Sequence, residues 1–260
     1  MSELKIVCCV KQTFATDARI HLDADGQIAE ERVSHVVNPY DEFAVEEALR
    51  IKERLGADVA ILSVGGKRAD QAIRQCLAMG ADRGLRIDDQ GLPDRDEAAT
   101  AAILAAALRE MNCDLILCGK TSVDSNAAEV PARLAEALGL AQISAVSKLE
   151  VAEGRARGWS EGDGLTTVVE AALPVLATAE KSLNMPRYPT LPNILRAKKK
   201  PIGVMRLADL GLSPDDESLH PTRKRVAVRL PPERPGARLI PGKPREAAVE
   251  LARILRPMAH

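Results

Sequence analysis

The chain has 260 residues, 46% of them apolar and 28% charged, a globular balance with material for one large α/β domain and an appendage. Lys and Arg number 36 against 37 Asp and Glu, so the net charge of -1 leaves no broad cationic surface for nucleic acid. Trp159, Tyr40, Tyr188, Phe14 and Phe43 are the only aromatics, too few for a base-stacking platform, and no apolar run reaches the ~20 residues of a bilayer span.

Residues 4–10 (LKIVCCV) form an apolar run of strand length. Polar residues follow to about 37, and Asp25-Gly26 between short alternating pieces predicts a small hairpin in the first crossover. Asn38 as cap and Pro39 in the first turn predict a helix to about 55, where Gly56 stops it. The cycle repeats: strand 59–64, helix 68–79, strand 84–87, helix 95–111, strand 114–118, then a polar loop 119–126 and a helix to 138. Asp124, Ser125 or Asn126 is available to cap that last helix. Alternating strands and helices at this pitch predict a doubly wound, mostly parallel α/β sheet. Ligands bind such sheets at the carboxyl ends of the strands, near the switch in strand order. The loops after Val10, Val64 and Cys118 are therefore the candidate site.

Beyond residue 140 the pattern changes. Residues 143–151 and 165–171 read as antiparallel strands around a glycine-rich stretch, 154–164, with 174–178 a further strand. Residues 183–203 hold four prolines and Lys198-Lys199-Lys200, with neither a helical nor a strand period, and the triple lysine reads as a solvated face. Residues 212–244 are polar and proline-dense, an extended arm ending in a short helix at about 245–255. An arm with so little core needs a surface to lie on, and a partner subunit is the natural one.

The five cysteines (Cys8, Cys9, Cys76, Cys113, Cys118) include no C-x-x-C pair, and the start shows no basic signal segment. Reduced thiols, no metal centre and a cytoplasmic location are expected. Gly119-Lys120-Thr121 is not a Walker loop, since Asp114 stands where its first glycine belongs. What remains is the loop and helix start at 119–130, whose free N–H groups and positive helix end favour an anion such as a nucleotide phosphate.

Residues 183–202, LNMPRYPTLPNILRAKKKPI, closely resemble the signature of the electron transfer flavoprotein β subunit. So do Asn38-Pro39-Tyr40-Asp41-Glu42-Phe43-Ala44-Val45-Glu46-Glu47-Ala48, Leu77-Ala78-Met79-Gly80-Ala81-Asp82-Arg83 and the opening Val10-Lys11-Gln12. The resemblance spans about 1–205 and implies a Rossmann-like, adenine-nucleotide α-hydrolase-like domain carrying a recognition loop at 183–194. Residues 206–260 then form a C-terminal arm and helix on the partner. It implies an electron carrier rather than an enzyme: a heterodimer with an α subunit that holds most of an FAD. Flavin dehydrogenases are the donors and a quinone oxidoreductase the acceptor, with no membrane insertion.

By position, the family's AMP contacts fall on Cys9, Asn38, Pro39, Tyr40, Asp41 and Val64. The rest fall on Gly119, Lys120, Thr121, Ser122, Val123, Asp124, Ser125, Asn126, Ala127, Ala128, Glu129 and Val130. These are the strand-end loops and helix start already picked out. Residues 124–131 match neither the AMP pattern nor that of the related branch with a second FAD, so AMP, a second FAD and an empty site all stay open. Phe14 falls near where the family approaches the flavin. Partner recognition falls on Leu183, Asn184, Pro186, Arg187, Tyr188, Leu191, Pro192 and Ile194, with Leu191 as the anchor.

Overall fold

A computed structural model describes residues 3–92, 95–223, 225–232 and 236–258. Parts of the predicted arm (224, 233–235 and 259–260) lie outside the described residues.

Nine strands form one sheet: β1 (Lys5–Cys9), β4 (Asp58–Val64), β5 (Arg83–Asp88), β6 (Leu115–Gly119), β7 (Ala141–Ala152), β8 (Arg155–Gly162), β9 (Leu165–Ala172), β10 (Val175–Ala179) and β11 (Ile202–Arg206). Their order is β11-β5-β4-β1-β6-β10-β7-β8-β9. Every pairing from β11 to β7 is parallel, while β8 and β9 run antiparallel as an outer meander. A separate ribbon pairs β2 (Gln12–Phe14) with β3 (His35–Val37). The Asp-Gly hairpin between them is reduced to a single Leu22–Ile28 bridge.

The central strands are buried on both faces, and alternate residues of one strand serve opposite cores. Ile6 and Cys8 of β1 join the core beneath α1 (Pro39–Leu55) and α2 (Asp70–Met79). Val7 and Cys9 join the core beneath α3 (Glu97–Met111) and α4 (Val130–Leu138). That period-2 alternation turns an unbroken apolar sequence into the middle layer of a sandwich.

Two expectations are revised. The glycine-rich stretch 154–164, for which the sequence predicts no element, contains β8, with turns only at its ends, so the two predicted strands flank a third. Gly158 lies in the strand because a Cβ there would sit 2.6 Å from Ile143 and 2.7 Å from Val146, so the glycine admits core side chains. Residues 183–203 are not periodless, since they contain α5 (Leu191–Lys199) and run into β11. Pro192 sits in the first turn of α5, where a missing N–H costs nothing. Arg74 on α2 closes its far end, donating through Nη1 to the Ala197, Lys198 and Lys200 carbonyls at 3.0, 3.2 and 3.2 Å.

The chain leaves the body gradually. Leu207 and Leu219 are buried in the α3-side core, and residues 225–232 and 236–243 carry no helix or strand. No residue of the last helix, α6 (Pro244–Leu255), is buried, and Val249, Leu251 and Leu255 present apolar surface to solvent.

Candidate functional site

From β1 the sheet winds through β4 and β5 to one side and through β6 to the other, so the order switches between β1 and β6. At that switch point a cleft of about 190 Å³ opens over the carboxyl ends of β1, β4 and β6.

Asp41 organises the floor. It lies in the first turn of α1 and is buried, yet its carboxylate takes three N–H donors. Oδ2 accepts the Lys11 N–H at 2.7 Å, and Oδ1 accepts the Gly119 N–H and the Asn38 amide, both at 3.0 Å. One side chain thereby fastens the ends of β1 and β6 to α1. Burial pushes the Asp41 carboxyl up to about 7 against the pull of those donors. Gly119 leaves room for this approach, because a Cβ there would stand 2.4 Å from Asp41 Oδ1 and 2.6 Å from Tyr40.

Asn38, predicted to cap α1, does something else: its side chain makes no cap hydrogen bond. It reaches across the cleft floor, donating to the Thr121 carbonyl at 2.8 Å and accepting the Val123 N–H at 3.2 Å. The helix is started instead by Pro39. The cap expected for α4 at Asp124, Ser125 or Asn126 is also corrected. The helix begins at Val130, after Glu129, with no side-chain cap, while Asp124 closes its own turn and holds Lys11 at 2.8 Å. Burial opposes ionisation of Asp124, but Lys11 keeps its carboxyl below the ordinary range. Asn126 and Ala128 sit at φ 51° and 55°, so the approach to α4 is a strained left-handed path.

Of the residues singled out from sequence, Cys9, Asn38, Asp41, Val64, Gly119, Thr121, Ser122, Ser125, Ala127, Ala128, Glu129 and Val130 line this cleft. Six others surround it without lining it. Pro39 starts α1, Tyr40 lies beneath the Lys181 ammonium (4.8 Å to the ring centre), and Lys120 pairs with Glu180. Val123, Asp124 and Asn126 shape the loop. Phe14 packs on His35 with ring centres 5.2 Å apart, in the small ribbon.

Sequence reasoning missed the opposite wall: Arg95, Asp96, Glu97, Thr100 and Leu104, all near the start of α3. Asp96 caps that helix, its Oδ1 accepting the Ala99 N–H at 3.0 Å. Arg95 pairs with Asp89 and donates to the Val64 carbonyl at 3.2 Å. The signal for them was the strand-end rule itself, applied to the loop after β5.

The 183–194 segment divides in two. Leu183 packs on the core, Asn184 donates to the Phe43 carbonyl and to Glu47, and Pro186 is half-buried. Arg187 grips buried Glu46 at 2.8 Å and exposed Glu53 at 2.5 Å. Tyr188, Leu191, Pro192 and Ile194 face solvent, with Tyr188 96% and Leu191 69% exposed, and Met185 and Leu195 extend the patch. The first group fastens the loop to α1, and the second leaves an apolar surface open.

Among the described residues, no three His, Cys, Asp or Glu side chains are arranged to hold a metal ion, and no helix is long and apolar enough to cross a membrane.

Comparison with known proteins accounts for this architecture. A family model described as the electron transfer flavoprotein domain matches residues 25–210. Proteins named electron transfer flavoprotein subunit beta match nearly end to end. That of Bacillus subtilis is 35% identical over 254 residues, covering 97% of this chain and 98% of its own. That of Syntrophomonas wolfei is 38% identical over 250 residues, covering 96% and 94%, and that of Bradyrhizobium diazoefficiens 38% over 211, covering 80% and 84%. A doubly wound sheet with a strand-end cleft, an open apolar loop and relatives aligned along most of its length identify the chain as a β-subunit-type member of the electron transfer flavoprotein family.

Proposed function

We propose that the chain works as one half of a heterodimeric electron carrier in the cytoplasm. Its partner is an α subunit holding most of an FAD, and its own cleft binds AMP, with a second FAD as the alternative occupant. Flavin dehydrogenases deliver electrons after docking on residues 183–194 with Leu191 as anchor, and a quinone oxidoreductase receives them. The redox chemistry is supplied by the bound flavin, and this chain binds, orients and docks.

The observation that carries the nucleotide reading is the uncapped start of α4 in the cleft. The residues present fit an adenine nucleotide. Alanines at 127 and 128 let backbone approach a phosphate closely, and the helix start offers N–H groups that no side chain claims. Cys9, Val64 and Leu104 give the other end an apolar lining for a base. The partner reading is supported by the arm from residue 206: α6 buries none of its residues, and its apolar side chains are left without a covering surface.

Co-expression with an electron transfer flavoprotein α subunit tests both readings. A yellow 1:1 complex releasing one FAD and one AMP supports them, and two FAD select the alternative occupant. A colourless, self-sufficient monomer overturns the carrier, and a yellow complex free of a second nucleotide overturns the cleft assignment alone.

A further inference from the structure

The cleft is poorly charged for an anionic occupant. Among the described residues lining it, Asp41, Asp96, Glu97 and Glu129 stand against Lys11 and Arg95, and both cations are already paired, with Asp124 and Asp89. A phosphate approaching that rim meets like charges whose repulsion grows as water is excluded.

The compensation comes from far along the chain. Leu219, 1% exposed, is anchored in the core beneath α3 and fixes the path of the residues after it. The Thr222 N–H and hydroxyl both donate to Asp96 Oδ2, at 2.7 and 2.8 Å, while the other oxygen of that carboxylate caps α3. With these donors outweighing the burial that opposes them, the Asp96 carboxyl is held down at about 2. Arg223 then donates through one nitrogen to Glu97 at 3.0 Å and to Glu129 at 2.6 Å. Glu97 opens α3 and Glu129 immediately precedes α4, so a single guanidinium ties the two helix starts together across the rim. Arg133 takes Glu129 from the other side at 2.7 Å.

We propose that Arg223 is a positioning residue for the nucleotide: it braces the starts of α3 and α4 and, with Arg133 on Glu129, offsets the Glu97 and Glu129 charges that would repel a phosphate. The inference rests on the reading of the cleft as an adenine-nucleotide site. It also places residues 219–223 as a strap, so that the segment leading into the arm and the occupant of the cleft share one ion-pair network.

The test uses the full-length chain co-purified with its α subunit and freed of exchangeable nucleotide, titrated calorimetrically with AMP and, separately, with uncharged adenosine. Arg223→Ala should weaken AMP about tenfold, the scale of one charge-assisted contact, while adenosine changes less than about threefold. Arg223→Lys should recover part of the loss, and the loss should shrink at high salt. Glu129→Gln, which keeps the fold even if Arg223→Ala does not, should tighten AMP. Unchanged AMP affinity in Arg223→Ala, or equal weakening of AMP and adenosine, overturns the proposal, as does looser AMP binding in Glu129→Gln. A wild-type complex that binds neither probe overturns the nucleotide reading and the strap with it.

Discussion

A single methyl group placed on Gly119 tests the cleft floor most directly. In Gly119→Ala the new Cβ stands 2.4 Å from Asp41 Oδ1, 2.6 Å from Tyr40 Cβ and 2.8 Å from the Tyr40 carbonyl carbon. Two of these atoms belong to the first turn of α1, and the third belongs to a carboxylate held by three N–H donors, so none can swing aside as a flexible side chain would. Overpacking of this kind costs roughly 1–3 kcal/mol. Any shift also stretches the Gly119 N–H bond to the Asp41 carboxylate, a charged contact of about 1.5–3 kcal/mol. The expected loss is about 3 kcal/mol, or roughly 6–12 °C in Tm for a chain of this size. Gly66→Ala is the control, since φ there is -66° and a Cβ meets nothing within 4 Å. It should change stability by less than about 0.5 kcal/mol. Urea denaturation of both full-length variants by circular dichroism checks the pair. A Gly119→Ala variant as stable as Gly66→Ala refutes the argument that one carboxylate fastens two strand ends to a helix.

Further outcomes bear on neighbouring features. The Asp41 carboxyl, raised by burial to about 7, is protonated more readily folded than unfolded. Its contribution to stability is therefore complete below about pH 4 and lost as pH rises to about 7, by up to ~4 kcal/mol. A carbon-detected NMR titration should place its midpoint well above 5, and an ordinary midpoint near 4 rejects the burial argument. Arg187→Ala leaves Glu46, whose side chain is 4% exposed, with Arg50 as its remaining partner. It should cost about 2 kcal/mol and speed tryptic cleavage at Lys181, and Arg187→Lys should restore only part because the two-carboxylate grip needs the planar fork. Leu191→Ala removes a side chain 69% exposed and should move Tm by less than about 2 °C. Reduction by a donor dehydrogenase should slow while flavin content stays constant, and a loss of flavin instead assigns the loop a structural role.

The alternation of apolar runs with amphipathic stretches made the parallel sheet and its strand-end cleft legible in the sequence. What escaped was hidden by residues whose local habit differs from their use. Gly158 reads as a strand breaker, but β8 needs it to admit Ile143 and Val146. Pro189 and Pro192 read as irregular chain, although Pro192 occupies the one turn of α5 that tolerates it. Asn38 has the side chain of a cap and spends it on the loop opposite. In the cleft, the loops after β1, β4 and β6 were legible from the strand-end rule, which reaches Arg95 to Leu104 only when it is extended to the loop after β5. Arg223 arrives from a remote segment by tertiary packing, and nothing in its own neighbourhood marks that destination.

The meander that closes the sheet has a practical consequence. On β9, Leu165 is 73% exposed and Val168 and Val169 are 44% and 38%, and one side of its backbone is paired to β8 while the other borders solvent. Such a margin is a template for whichever extended chain meets it first. Preparations made without a companion subunit should thus self-associate as concentration rises, and a charge placed at Val168 should keep them dispersed.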